Sequence, residues 1–283
     1  MPSFFDNTRP GKTVIIGDSS YEMPILYKRD EFMGLYYTAD ARRVKSILPS
    51  SRLHPITLPN GRAIVVIAAY NYRETSIGPY GEVVSGIPCV YGMRPLPFTG
   101  FIPALLESRY PGFGVLVQHL PVTRTTARNA GRDIWGYTKF IADMHFDITP
   151  EHLECQMHDK DQHILTFRVV RRGIYSEDAR PIITYSVKNN KLIKTIIPQK
   201  GTKRISLKTE GCFLKMGDHP VSLSIQSLGL SDKPLMSLYY PERWAILPEG
   251  TVIEENVQAF DGYMGMEREA SHTVNEANIS NNF

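Results

Sequence analysis

Short apolar runs separated by turn formers dominate the chain. GRAIVVIAAYNYRE (61–74), HLECQMH (152–158), HILTFRVVR (163–171) and RPIITYSV (180–187) are rich in β-branched and aromatic residues and carry no helical periodicity, which predicts strands. Two hairpins are marked. Asn60-Gly61, between Leu58 and an apolar run, is the pair that most readily supplies positive φ in a tight turn. Leu153 to Val170 alternates around the polar turn Asp159 to Gln162. One short amphipathic helix is predicted over 38–49, with Thr38 or Asp40 as N-cap, Val44, Ile47 and Leu48 on one face, and Pro49 as its stop. A second helix is predicted over Phe101 to Ser108, whereas Lys233 to Trp244 is too irregular to assign. Apolar periodicity is lost from 265 to 283, which predicts a loosely held tail. With no repeat or low-complexity linker, residues 1–283 read as one mainly β domain with few helices.

Composition narrows the function classes. The longest uninterrupted apolar run, Ala63 to Tyr70, falls far short of the roughly 20 residues of a membrane-spanning helix, so no membrane segment is expected. The start, MPSFFDNTRPGK, lacks the basic and apolar blocks of a secretory signal, and a cytoplasmic location is the default expectation. Cys89, Cys155 and Cys212 are odd in number and without CxxC spacing, as expected for free thiols. The net charge of +3 comes from interspersed signs, and the densest basic cluster, Lys200 to Arg204, is short, so no nucleic-acid footprint is expected.

Several motif fragments lead nowhere. Gly11-Lys12-Thr13 has Asp6 where a phosphate-binding loop needs its first glycine. Asn278-Ile-Ser280 is a glycosylation sequon without a secretory context. His152, His158 and His163 alternate along one hairpin and need not converge on a metal.

The informative region is Arg124 to Asp143, where Lys139 sits among Trp135, Tyr137, Phe140 and Ile141. An amine desolvated by such neighbours is disfavoured in its charged form and becomes a usable nucleophile toward a carbonyl. The competing reading is a strand lysine whose stem snorkels to solvent.

The segment AGRDIWGYTK (130–139) resembles the active-site signature of the acetoacetate decarboxylase superfamily, with Lys139 in the place of the Schiff-base lysine. GPYGE (78–82) resembles the family loop whose glutamate, here Glu82, faces that lysine. KRDEF (28–32) resembles the start of an early strand whose arginine, here Arg29, meets a substrate carboxylate, and LYYPERWAILPEGTVIEE (238–255) resembles the closing strand. The likeness spans roughly residues 20 to 260. It implies a mainly antiparallel β barrel or cone with peripheral helices, a homo-oligomer, and no cofactor or metal. It assigns catalysis to Lys139 and Glu82 and substrate contact to Arg29, Tyr80, Trp135, Tyr137 and Phe140. Arg132 and Asp133 are expected to pair and fix the strand that carries Lys139.

Departures from the family pattern bear on the substrate. Thr138 stands for a proline and Phe140 for a second lysine, while apolar Ile67 stands for a second pocket glutamate in the most natural pairing. A larger, more apolar or aromatic keto acid would suit these changes. Three functions follow: decarboxylation of a β-keto acid through a Lys139 imine, aldol or dehydration chemistry on pyruvate and an aldehyde through the same imine, or non-covalent small-molecule binding.

Overall fold

The computed structural model describes residues 4–6, 8–9, 11–96, 99–102, 110–260 and 262–265. The chain opens with the hairpin β1 (Lys12–Ile16) and β2 (Ser19–Met23), followed by β3 (Ile25–Ala39), α1 (Ala41–Ser46), β4 (Leu53–Pro55), β5 (Ala63–Thr75), β6 (Tyr80–Tyr91) and β7 (Phe113–His119). After α2 (Thr125–Ala130) come β8 (Asp143–Ile148), β9 (His152–Asp159), β10 (Gln162–Val170), β11 (Ile174–Asp178), β12 (Ile182–Lys188) and β13 (Lys191–Ile197). The last elements are β14 (Gln199–Ser206), β15 (Phe213–Met216), α3 (Pro220–Gln226), β16 (Met236–Leu247) and β17 (Thr251–Glu254).

The large sheet runs β11-β14-β16-β3-β5-β6-β7-β12-β13-β17, with β4 paired to β6, and a second sheet runs β15-β10-β9-β8. The barrel or cone expected from the sequence is not formed. Among the described residues β11 pairs only with β14 and β17 only with β13, so the large sheet stays open at both edges. Among the described residues all ladders are antiparallel except β7 with β12.

The central strands are covered on both faces, which is why β5 opens on an unbroken apolar run and β6 is buried from Tyr80 to Val90. Ala63, Val65, Ile67 and Ala69 face a core shared with β9, β10, α1 and α3. Val66, Ala68 and Tyr72 face a second core shared with β2, α2 and β16. The candidate site lies in that second layer.

Local expectations fare well where the signal is local. The Asn60-Gly61 turn forms with Gly61 at φ +79°, although its first arm is only the bridge from Thr57 to Ala63. β9 and β10 pair as the second hairpin. α1 is capped by Asp40, whose carboxylate accepts from the Arg42 and Arg43 amides at 2.8 and 3.1 Å, and Val44 is its buried residue. The irregular stretch from 233 onward is the long strand β16. The helix expected over 101–108 lies almost wholly outside the described residues, as does the expected tail beyond 265. No helix among the described residues is long and apolar enough to cross a membrane. Cys89 and Cys155 are buried and free, and burial pushes the Cys89 thiol up to about 12.

Candidate active site

Lys139 is held by the turn before it. α2 continues into a wide helical turn over Gly131–Trp135 that ends at Gly136 in the left-handed region, φ +70°, a conformation glycine adopts without steric cost. The chain then runs extended from 137 to 142 alongside residues 120–122: the Leu120 amide donates to the Thr138 carbonyl at 3.3 Å and the Val122 amide to the Phe140 carbonyl at 2.9 Å. Val122 also bridges to Glu82, so one short segment aligns the lysine strand with β6. Arg132 reaches forward, its Nε donating to the Lys139 carbonyl at 2.6 Å and its NH2 to the Met264 carbonyl. The Lys139 stem lies over Gly131, where any Cβ would come well inside 3.0 Å of Cδ and Cε. Gly131 thus leaves room for the lysine stem, whereas the turn itself is served by Gly136.

The amine ends against a carboxylate. Lys139 Nζ donates to Glu82 Oε2 at 2.7 Å, with the two residues 4% and 6% exposed, so this is a dry ion pair. The other oxygen of Glu82 accepts from the Tyr72 hydroxyl at 3.1 Å. Tyr80 lies beneath the amine, its ring centre 5.7 Å from Nζ, and its hydroxyl shares a 2.9 Å hydrogen bond with Tyr27. Burial, then the charge of Glu82, pushes the Tyr72 phenol well above its ordinary range; burial does the same for Tyr80. Tyr137 is pushed up to about 12 by burial, although its hydrogen bond with Thr184 Oγ1, 2.7 Å, opposes this. These phenols stay protonated near neutrality, and Tyr72 is the donor to Glu82.

Lys139, Glu82, Tyr27, Tyr70, Tyr72, Tyr137, Thr184 and Arg243 line a cavity of about 70 Å³, closed by aliphatic side chains of β6, β7, β12, β13 and β16. Arg243 is 3% exposed and forks onto Asp30 through Nε and NH2 at 2.9 and 3.1 Å, while NH1 donates to Gln199 at 3.1 Å. Burial opposes its charge, but the charge and hydrogen bonds of Asp30 together with Tyr70 and Tyr72 outweigh burial and keep the guanidinium protonated. The Tyr70 ring lies 4.7 Å from the guanidinium carbon. Both cations at the cavity thus have an anion in contact.

The acetoacetate decarboxylase family model matches residues 9–210 of this sequence. The chain belongs to the acetoacetate decarboxylase family. No curated protein matches the sequence. Among solved structures, the chain is similar to the acetoacetate decarboxylase of Legionella pneumophila at 18% identity, with TM-score 0.61, 82% of this chain and 88% of that one covered. It is similar to an acetoacetate decarboxylase-like enzyme from Sphingomonas wittichii RW1 at 13% identity, TM-score 0.57, covering 82% and 93%. The enduracididine biosynthesis enzyme MppR in complex with pyruvate shares 11% identity, TM-score 0.55, covering 82% and 91%. At these identities the likeness establishes a shared fold.

Against that family pattern, the structure brings Lys139, Glu82, Tyr80 and Tyr137 together and separates the other expected site residues. Arg29 is exposed and reaches Glu242 at 3.8 Å. The cause is a bulge in β3, where the register against β5 shifts between Tyr27, Arg29 and Asp30, so Lys28 and Arg29 both face out and Asp30 turns in. Phe140 points to the opposite side of the strand from Lys139. It stacks with His219 at 6.1 Å and meets Tyr263 edge-on at 4.8 Å, in the other core. Trp135 is buried behind Tyr137, stacked at 6.1 Å, with Nε1 donating to the Pro248 carbonyl, and does not line the cavity. Ile67 also faces the other core, so the β5 residues on the lysine side are Tyr70 and Tyr72.

Two groups of site residues were not found from the sequence. Tyr70 and Tyr72 alternate on β5 and sit opposite Glu82 and Tyr80 across the hairpin, a register that the spacing of YNY and YGE could have suggested. Arg243 left no such signal, because its partner Asp30 is 213 positions away. The histidines do not gather either: His158 and His163 face each other across the hairpin and His152 bonds Asp147 at 3.0 Å. Among the described residues no group of three or more His, Cys, Asp or Glu side chains is placed to hold a metal ion.

Proposed function

We propose that this protein is a lyase that acts on a compact keto acid through a Schiff base on Lys139. The observation that carries the reading is the buried 2.7 Å contact between Lys139 and Glu82 at the wall of a cavity. The ammonium proton passes to Glu82, and the freed amine attacks the ketone carbon. The carbinolamine oxygen takes that proton back and leaves as water, giving a protonated imine. In a β-keto acid the bond to the carboxyl carbon then breaks, its electron pair flows into the iminium nitrogen, and CO2 leaves. The enamine carbon takes a proton, and water releases the ketone and restores Lys139. The imine is itself the electron sink, so this route draws on no cofactor.

Cavity size speaks to the substrate. At about 70 Å³ it is well under the ~150 Å³ apolar cavity that accepts a benzene ring, which favours a short keto acid over the aromatic one suggested by Phe140. Arg243 takes over the expected role of Arg29, its remaining N–H groups meeting the substrate carboxylate at the cavity wall. The same lysine and a cavity of this size also suit pyruvate, whose enamine would add to an aldehyde; that second reading keeps every role but the CO2 loss.

Incubation with acetoacetate or pyruvate followed by borohydride tests the proposal by intact mass. A reduced adduct is expected on the wild-type chain and not on Lys139→Ala. Failure of a panel of short keto acids to leave any adduct would overturn it. With an adduct in hand, CO2 release from a β-keto acid marks the first reading and carbon–carbon bond formation with an added aldehyde marks the second.

A further inference from the structure

A second concave site lies where the two sheets meet, built from residues the lysine chemistry does not use. Ile148, Thr149 and Pro150 at the β8–β9 turn, Arg171 after β10, Arg204 on β14, and Tyr239 and Pro241 on β16 border an open cleft of about 640 Å³. That lies within the roughly 300–1,000 Å³ usual for small-molecule sites.

Two guanidinium groups face this cleft. Arg171 is fixed in place: NH1 donates to the Thr149 carbonyl at 2.8 Å, its amide donates to the Glu151 carbonyl at 2.8 Å, and its guanidinium carbon lies 5.7 Å from the Tyr239 ring centre. Arg204 sits opposite Tyr239 in one ladder and opposite Tyr175 in the other, with its guanidinium 5.6 Å over the Tyr175 ring. Both arginines are half-buried.

Among the described residues neither has a carboxylate within ion-pair distance. Arginines close by in sequence do: Arg168 meets Glu154 at 2.7 Å, Arg172 meets Glu210 at 3.4 Å, and Arg180 meets Asp178 at 3.1 Å. Two partly desolvated like charges on one concave surface make a positive potential that an oxyanion relieves. Their planar forks match oxygens set at phosphate geometry, and two cations balance the nearly doubly negative charge of a phosphate monoester near neutral pH. A monocarboxylate would leave one of them unmatched. The apolar faces of Ile148, Pro150, Tyr239 and Pro241 supply a surface for the organic part of such a ligand.

We propose that this cleft binds the phosphate group of a small phosphorylated molecule, at a site separate from Lys139. The test is isothermal titration of the full chain with inorganic phosphate at constant ionic strength, with acetate as the comparison anion. Saturable phosphate binding is expected in the wild-type chain and in Lys139→Ala, at least tenfold weaker in Arg204→Gln and weaker still for acetate. Arg204→Gln is the informative variant because, among the described residues, its guanidinium holds no hydrogen bond or ion pair and rests over the Tyr175 ring, so its melting temperature without phosphate should match the wild type. Absence of saturable heat, equal affinity in Arg204→Gln, or acetate binding as tightly as phosphate would each overturn the assignment. So would a change in the mass of the assembly in Arg204→Gln, which would mean that the arginines serve a contact between copies of the chain.

Discussion

The side chain of Lys139 crosses directly over the backbone of Gly131, so the lysine stem and any side chain at position 131 compete for one volume. Replacing Gly131 with alanine forces the stem aside while Nζ stays drawn to Glu82. Misplacing a reactive group by about 1 Å can cost about 100-fold in rate, and a loss of that order in borohydride trapping is expected for Gly131→Ala, with the fold retained by circular dichroism. A trapping rate within twofold of wild type would show that the stem has room to spare.

Arg29 and Arg243 should behave as opposites. Arg29→Ala removes an exposed group and is expected to change stability by less than about 0.5 kcal/mol, with trapping of keto acids unchanged. Arg243→Ala leaves Asp30 buried without its partner and is expected to cost about 3–5 kcal/mol in urea unfolding. Adding Asp30→Asn to that variant should recover part of the loss. If Arg29→Ala abolished trapping, the carboxylate role would return to Arg29.

Phe140 is expected to affect stability rather than chemistry. It packs between His219 and Tyr263, and Phe140→Ala should lose about 3–5 kcal/mol of folding free energy. The pH profile of Lys139 trapping, measured on the folded fraction, should be unmoved. A shifted profile would place Phe140 beside the amine after all.

One buried histidine sets an acid limb. His119 is 3% exposed, and burial, followed by the charge of His219, pushes it from the ordinary 6.5 down to about 4. Between those values the unfolded chain holds a proton that the folded chain does not, so stability is full above about 6.5 and falls as pH drops toward 4, by up to about 3 kcal/mol. Urea midpoints across that window should show the limb in the wild type and a shallower one in His119→Gln. An equally steep limb in the variant would assign the loss to other groups.

What the sequence revealed divides by the range of the interaction. The hairpin at Asp159 to Gln162, the cap at Asp40 and the Lys139 motif depend on neighbours within a few residues, and each was legible. The strand β16 hid its identity because Pro241 and its bulges break the alternation. Arg29 was misplaced for the same physical reason: relative to β16, β3 holds one extra residue between Tyr27 and Asp30, which leaves Lys28 and Arg29 both facing out, and a motif match counts positions, not faces. Trp135 and Phe140 were drawn into the site by their nearness to Lys139 in the chain. A strict alternation from Tyr137 onward would have set Phe140 apart, whereas Trp135 sits on a helical turn where alternation has no force. Whether the sheet closes depends on pairing between β11 and β17, far apart in the chain, and no local pattern reports it.

The extended run from Tyr137 to Ala142 carries its two tasks on interleaved letters. Tyr137 and Lys139 line the cavity, while Phe140 and Ala142 pack into the core on the other side. Selection can therefore adjust core packing and cavity lining at neighbouring codons with little cross-talk, and an engineer can repack one face of this segment to toughen the protein while leaving the cavity wall untouched.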